Sequence, residues 1–440
     1  MTYPEQVKST LLNEIAEMAT CPWFFSKHPE QDFSRKRKID FETLMHFIIS
    51  MEGGAMKHEL LKYFNFDENV LSVSAFYQQR NKLIQEAFPY LFQQFNSHFL
   101  FEKYKNMYQL IACDGSEFNI TRNPDDPDTF HPPSGKSAKG FNMLHVVALY
   151  DLLSRRYLDA VIQPGRNKNE FRAICDLADR YPSDSGKPIF IADRGFASYN
   201  FFAHAMENDM YFLVRAKDIN VQRLLNREQL NDPDVFDVTV NRILTRTQSK
   251  KKRAHPENEE QYRYICGNIA FDYIEPGSAK EYPLTLRILR FKVADGTYEN
   301  IITNLPDEFS VEEIKQLYNL RWGIETSFRE LKHTIGAINF HSKKVEYIEQ
   351  ELWARLILYN FCEIITTHIV IEKKETKYSY QVNYAMAIKI CHHFLRLHSE
   401  ESPPDVEGLI SSNILPVRPG RNFARQHRFQ LPISFSYRFS

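Results

Sequence analysis

The sequence predicts an α/β fold: a mixed sheet flanked by helices, with a β-rich insertion and an N-terminal helical domain. Three features carry that prediction: two apolar runs that each end in an aspartate, a hairpin pattern between them, and a helical stripe of charged and aromatic residues around position 320. Gln109-Leu-Ile-Ala-Cys-Asp114 and Lys187-Pro-Ile-Phe-Ile-Ala-Asp193 are short continuous apolar stretches bounded by turn residues, the pattern of strands buried on both faces. Each aspartate then stands at the carboxyl end of its strand, where open α/β sheets hold ligands. Taken singly, either could instead cap the next helix or turn.

In chain order, residues 1–100 read as helical. Phe41 to Met51 is amphipathic, Gly53-Gly54 breaks it, and Ala55 to Tyr63 starts a second helix. Ser74 is a candidate cap for a third helix containing Gln78, Gln79, Arg80, Asn81 and Lys82. This order suits a helix-turn-helix variant with Arg80 facing DNA, and a plain helical bundle gives the same pattern. Residues 101–217 open the core. Phe141 to Tyr150 and Tyr157 to Gln163 read as an antiparallel hairpin closed by Leu152 to Arg156, Lys168 to Tyr181 reads as a helix, and the Asp193 strand follows. Residues 218–304 carry β-type runs and a basic loop with Lys250, Lys251, Lys252 and Arg253, which is placed against phosphates. Residues 305–371 complete the core, and residues 372–440 form a helical region and a basic tail, with five arginines and no acidic residue from Pro416 onward.

The charged stripe lies on a helix capped by Ser310 and Glu313 and stopped by Gly336. Counted at ~100° per residue, Tyr318, Arg321, Glu325 and Lys332 fall within about 60° of arc, beside an apolar face of Leu317, Leu320, Ile324, Leu331 and Ile335. Trp322 is expected to pack. A carboxylate among cations on one helix is usually a solvated, ion-paired surface. Two aspartates at strand ends change that reading. Phosphoryl transfer by two metal ions needs hard oxygen ligands, and three carboxylates can hold two such ions roughly 3.5–4 Å apart. Asp114, Asp193 and Glu325 are the candidate catalytic and metal-ligating residues, for Mg²⁺ with Mn²⁺ as the alternative ion. Tyr318, Arg321 and Lys332 would hold the anionic strand in line.

These residues resemble the DDE transposases of the insertion sequence 4 type. Their signature is a tyrosine, an arginine three residues on, the catalytic glutamate four further and a lysine seven beyond that, matched by Tyr318, Arg321, Glu325 and Lys332. The family's catalytic aspartates correspond to Asp114 in ACDGS and Asp193 in ADRGF. The resemblance implies an RNase H-like core, with which the order of strands and helix agrees, and a β-rich insertion between the second aspartate and the glutamate. It also implies cut-and-paste transposition: metal-dependent strand cleavage at double-stranded transposon ends, then strand transfer into target DNA. Some relatives form a hairpin and stack a flipped base on a tryptophan in the insertion. This chain has Trp23, Trp322 and Trp353, none of them there, and Tyr262, Tyr264 or Tyr273 offers the π-face instead.

Composition agrees without deciding. The formal net charge of −1 over 440 residues leaves DNA binding to local clusters, such as Arg35 to Lys38 ahead of the N-terminal helices. Six scattered cysteines without a C-x-x-C pair read as reduced thiols. With no secretory signal and no membrane-length apolar run, a soluble, cytoplasmic protein is expected. Cleavage of both ends in one complex implies at least a homodimer. The competing readings are an inactive or domesticated transposase that only binds DNA, and an RNase H-like nuclease that cuts without joining strands.

Overall fold

The computed structural model describes residues 1–134, 137–182, 186–225, 230, 232–247, 262–294, 296–369, 379–397 and 402–417. The expected DNA contacts Lys250, Lys251, Lys252 and Arg253 and the basic tail beyond 417 lie outside the described residues.

Helices α1 (Tyr3–Thr20), α2 (Phe41–Ser50), α3 (Met56–Tyr63), α4 (Val73–Arg80) and α5 (Ala87–Ser97) come first. Their starts follow capping chemistry: Thr2 and Glu5 form a capping box on α1, and Asp40 and Ser72 cap α2 and α4. The cap of α4 is thus Ser72 and not Ser74, and Asn81 and Lys82 fall beyond its end. The core then runs β1 (Tyr108–Ile120), β2 (Phe130–His131), β3 (Phe141–Asp151), β4 (Arg156–Pro164), α6 (Glu170–Arg180), β5 (Lys187–Ala192), α7 (Tyr199–Glu207) and β6 (Tyr211–Ala216). Next come α8 (Asp218–Leu225), β7 (Phe236–Thr245), β8 (Tyr262–Tyr264), β9 (Glu281–Ala294) and β10 (Thr297–Thr303). Last are α9 (Val311–Leu320), α10 (Trp322–His333), α11 (Val345–His368), β11 (Ser379–Val382), α12 (Tyr384–Arg396), α13 (Val406–Ser412) and β12 (Ile414–Val417).

The strands β4-β3-β1-β5-β6 lie side by side, the first three antiparallel and the last two parallel to β1. This is the RNase H-like order. Alternate residues of β1 enter different cores: Ile111 and Cys113 face α6 and α7, while Leu110 and Ala112 face the opposite side with α9, α10 and α11. Burial on both faces explains the unbroken apolar runs that made these strands legible.

Two boundaries differ from expectation. The segment 218–304 is not a separate β unit, because β10 pairs antiparallel with β6 and extends the same sheet through β9, β7 and β8. That pairing covers what would otherwise be an open strand edge. Nor do residues 1–100 stand apart: Val7, Leu44, Phe76 and Phe92 share one buried cluster with Leu356 and Tyr359 of α11 and with Ile410.

The expected DNA contact Arg80 is corrected by this packing. It is fully buried, donating to Glu351 at 2.9 Å, to Gln350 at 2.9 Å and to the Tyr347 carbonyl. A basic side chain on a short helix found a carboxylate inside the fold, and α4 turns inward toward α11 instead of outward to a groove.

Candidate active site

Strand register brings the two aspartates together. Cys113 on β1 pairs with Ala192 on parallel β5, so Asp114 and Asp193 follow at the same level on neighbouring strands. Asp193 leaves the sheet there into a short 3₁₀ turn, Arg194–Phe196. Asp114 does not end its strand, as the sequence had suggested, because β1 continues to Ile120 against β3, with Asp114 opposite Ala148. Beyond Cys113, β1 has left its β5 neighbour behind.

The third carboxylate arrives on a helix that differs from the expected one. Ser310 caps it, accepting from the Glu313 N–H at 3.2 Å. Glu313 does not reach back, and instead holds Tyr104 at 2.7 Å and Lys105 at 2.5 Å. The helix is interrupted at Arg321, where the Arg321 and Ile324 amides donate three residues back, to Tyr318 and Arg321. Such 3₁₀-type tightening is a common mark of function or strain. It divides the expected single helix into α9 and α10, yet Tyr318, Arg321 and Glu325 still meet beside the two aspartates. Gly336, in the left-handed region at φ 89°, ends the run as read from sequence.

Arg321 is the hub. Its guanidinium is buried, 2.8 Å from Glu325 Oε1 and 3.9 Å from Asp114 Oδ2. It lies over the rings of Tyr318 and Trp322, at 5.6 Å and 5.2 Å. Tyr318, buried against the sheet, donates to Asp193 Oδ1 at 3.3 Å, and Arg215 at the end of β6 stands 3.8 Å from the same oxygen. Trp322, expected to pack, is half exposed. Lys332 extends from the far end of α10, over the Phe118 ring at 4.7 Å, to donate to the Glu117 carbonyl at 2.7 Å.

The charges are unbalanced. Burial raises the Asp114 carboxyl to about 6; the Gly115 N–H and Arg321 oppose it, while Glu325 and Asp193 push further upward. Burial lifts Tyr318 to about 12 and draws Lys332 down, against the pull of Glu117. Burial disfavours the Arg321 charge too, but Tyr318, Glu325 and Asp193 together hold it above its ordinary value. Its Nε has no hydrogen-bond partner among the described residues.

Among the described residues, no three His, Cys, Asp or Glu side chains are grouped to hold one metal ion. Arg321 contacts Asp114 and Glu325 and offsets part of the negative charge that a metal ion would neutralise. The donor chemistry nonetheless fits a hard divalent ion: three carboxylates near enough that two of them raise the pKa of the third.

Sequence reasoning missed a second pair beside Asp114. His145 of β3 lies 2.9 Å from Glu170 at the start of α6, and a Cβ on Gly115 would come within 2.7 Å of the His145 ring. Only glycine permits that approach. The pair sits on sequentially distant elements, so no local spacing announces it.

Residues 105–361 match the family model described as a transposase DDE domain. The chain belongs to this transposase family. Over 94 residues it is 35% identical to the transposase InsG for insertion sequence element IS4 of Escherichia coli (strain K12), covering 19% of this chain and 21% of that protein. Over 290 residues it is 22% identical to the transposase for insertion sequence element IS231E of Bacillus thuringiensis subsp. finitimus, covering 57% of this chain and 56% of that one. The matches therefore span less than two thirds of either relative's length. The cryo-EM structure of the piggyBac transposase synaptic complex with hairpin DNA aligns with a TM-score of 0.46 at 9% identity, over 89% of this chain and 80% of that chain. No helix among the described residues is long and apolar enough to cross a membrane.

Proposed function

We propose that this chain is a cut-and-paste DNA transposase that cleaves strands at the ends of its insertion sequence and transfers the freed 3′-hydroxyl to target DNA, working as a homodimer so that both ends are cut in one complex. The observation that carries the reading is that Asp114 and Asp193 follow neighbouring strands at one level and that Arg321 ties Glu325 of α10 to Asp114, in a member of a transposase family. Asp114, Asp193 and Glu325 would hold divalent ions, Mg²⁺ or Mn²⁺, which when bound activate the attacking oxygen and stabilise the leaving one. Arg321 would release Glu325 and turn its fork to the scissile phosphate, since a guanidinium matches phosphate geometry as well as carboxylate. Tyr318, packed on the sheet and tied to Asp193, would keep that aspartate oriented. Lys332 would face the strand leaving the cut.

Incubation of the protein with duplex DNA carrying the ends that flank its reading frame, with and without Mg²⁺, and strand analysis on a denaturing gel test this. Nicks exposing a 3′-hydroxyl, followed by joined products, are expected, and Glu325→Gln should keep DNA binding while losing both products. Mg²⁺-dependent nicking by that variant would overturn the assignment of Glu325. Cleavage by the unaltered protein without joining would indicate a nuclease, and binding without cleavage a regulator.

A further inference from the structure

Next to the carboxylates lies a cavity of about 890 Å³ that Lys332 shares with residues of the β4–α6 turn. Its floor is the outer half of β1 from Gly115 to Asn119, past the point where β5 stops. One wall is Lys332 of α10; the opposite wall is the turn between β4 and α6, with Arg166, Lys168 and Glu170. His131, stacked on Phe141 at 4.8 Å, closes the far end. The cavity opens onto the active site at both Gly115 and Glu170, whose Oε2 is 3.8 Å from the Cβ position of Gly195 in the turn after Asp193.

Its chemistry is that of an anion track. Arg166 is exposed and makes no ion pair among the described residues. Lys168 is half-committed, 3.1 Å from Glu117 and 3.9 Å from Glu170. Lys332 spends its charge on a neutral carbonyl, that of Glu117. In an antiparallel strand the N–H and C=O of one residue point to the same side, so the Glu117 amide faces Lys332 along with its carbonyl. Three cations and a backbone donor thus line a channel whose carboxylates, Glu117 and Glu170, are both engaged by Lys168, and Glu170 by His145 as well.

We propose that this groove binds the backbone of one DNA strand where it continues from the cleavage point, with Arg166 and Lys168 contacting successive phosphates opposite Lys332. The inference rests on the transposase reading and adds to it the path of the strand and two contacts on the β4–α6 turn. Both side chains are exposed, so their replacement should leave the fold intact, and a thermal melt of each variant checks that.

The test is the salt dependence of binding to end DNA, measured by fluorescence anisotropy for the full chain. Each lost phosphate contact should reduce the slope of log K against log salt by about 0.9 on duplex DNA. The double variant Arg166→Ala/Lys168→Ala should therefore lose close to two units of slope, and Arg166→Lys should retain the Arg166 share. End DNA with single methylphosphonate linkages locates the contact: a substitution beside the cut that weakens the unaltered protein should have little effect on the double variant. An unchanged slope in a folded double variant would overturn the groove assignment while leaving Glu325-dependent cleavage untouched. Failure of the unaltered protein to bind or cut end DNA would overturn the transposase reading itself.

Discussion

Two buried arginine–carboxylate clusters in this protein are built from the same parts and settle in opposite states. Beneath α11, Arg80 donates to Glu351, Gln350 and the Tyr347 carbonyl, and His341 adds a second partner for Glu351 at 3.1 Å. Burial alone would raise the Glu351 carboxyl, yet His341 and Arg80 outweigh it and hold it far below the ordinary range. At the candidate active site buried Arg321 meets Glu325 and Asp114, Arg215 approaches Asp193, and the three carboxylates still outnumber these cations, with Asp114 pushed up to about 6. One cluster is charge-matched and closed. The other keeps an excess of negative charge at a sheet edge, which is useful only if a cation or a proton joins it. Burial of an arginine says little about its role; the balance of charge around it says more.

The largest effect should come from breaking the closed cluster. Arg80→Ala leaves buried Glu351 with His341 as its hydrogen-bond partner and only the more distant charge of Arg355, and removal of one partner from such a pair costs about 3–5 kcal/mol. Urea unfolding followed by circular dichroism should show that loss, with the salt dependence of DNA binding by the folded fraction unchanged. A fully stable Arg80→Ala protein with a reduced salt slope would restore the sequence-based expectation that Arg80 faces DNA.

That expectation shows where sequence stops being informative. The positions of Asp114, Asp193, Tyr318, Arg321, Glu325 and Lys332 were legible because apolar runs and fixed spacings are local signals. Arg80 was misread because a short helix of amide and basic side chains looks alike whether its cation meets DNA or a carboxylate 271 positions away. The break at residue 321 was hidden for a related reason: nothing in the composition of Tyr318 to Glu325 announces the tightened turn between α9 and α10. The insertion was visible as β-rich, but its continuity with the sheet depends on β10 meeting β6, a pairing between segments about 85 residues apart. His145 and Glu170 were invisible because their encounter needs the absent side chain of Gly115.

A smaller effect of opposite sign should follow from relaxing the open cluster. Asp114 binds its proton more tightly in the folded chain, at about 6, than at its ordinary value of 3.8. Folded protein therefore holds more protons between those values, so stability falls as pH rises through them and stays reduced above. Asp114→Asn removes that burden and keeps an acceptor for the Gly115 N–H. It should stabilise the protein by about 1–2 kcal/mol at pH 8, with the advantage disappearing near pH 4, while strand cleavage is lost. The closed cluster has the reverse slope, since the depressed Glu351 carboxyl contributes stability above its unfolded pKa that is lost as pH falls. An Asp114→Asn protein less stable than the parent at pH 8 would mean that the site is as well balanced as the Arg80 cluster.

The smallest expected change separates the two regions on the DNA side. Lys332 and Arg80 both entered as candidate DNA contacts, but only Lys332 ends at a surface groove with a neutral carbonyl as its partner. Its amine is drawn down by burial, a cost that a phosphate would reverse by supplying a full negative charge. Lys332→Ala should leave stability nearly unchanged and lower the salt slope of end binding by about 0.9. Lys332→Arg should recover the slope, because a charge is what the groove requires at that point. If alanine alters stability and leaves the slope alone, then Lys332 serves to fix α10 on β1 through Glu117 and Phe118, and its side chain belongs with Arg80 among the cations the fold keeps for itself.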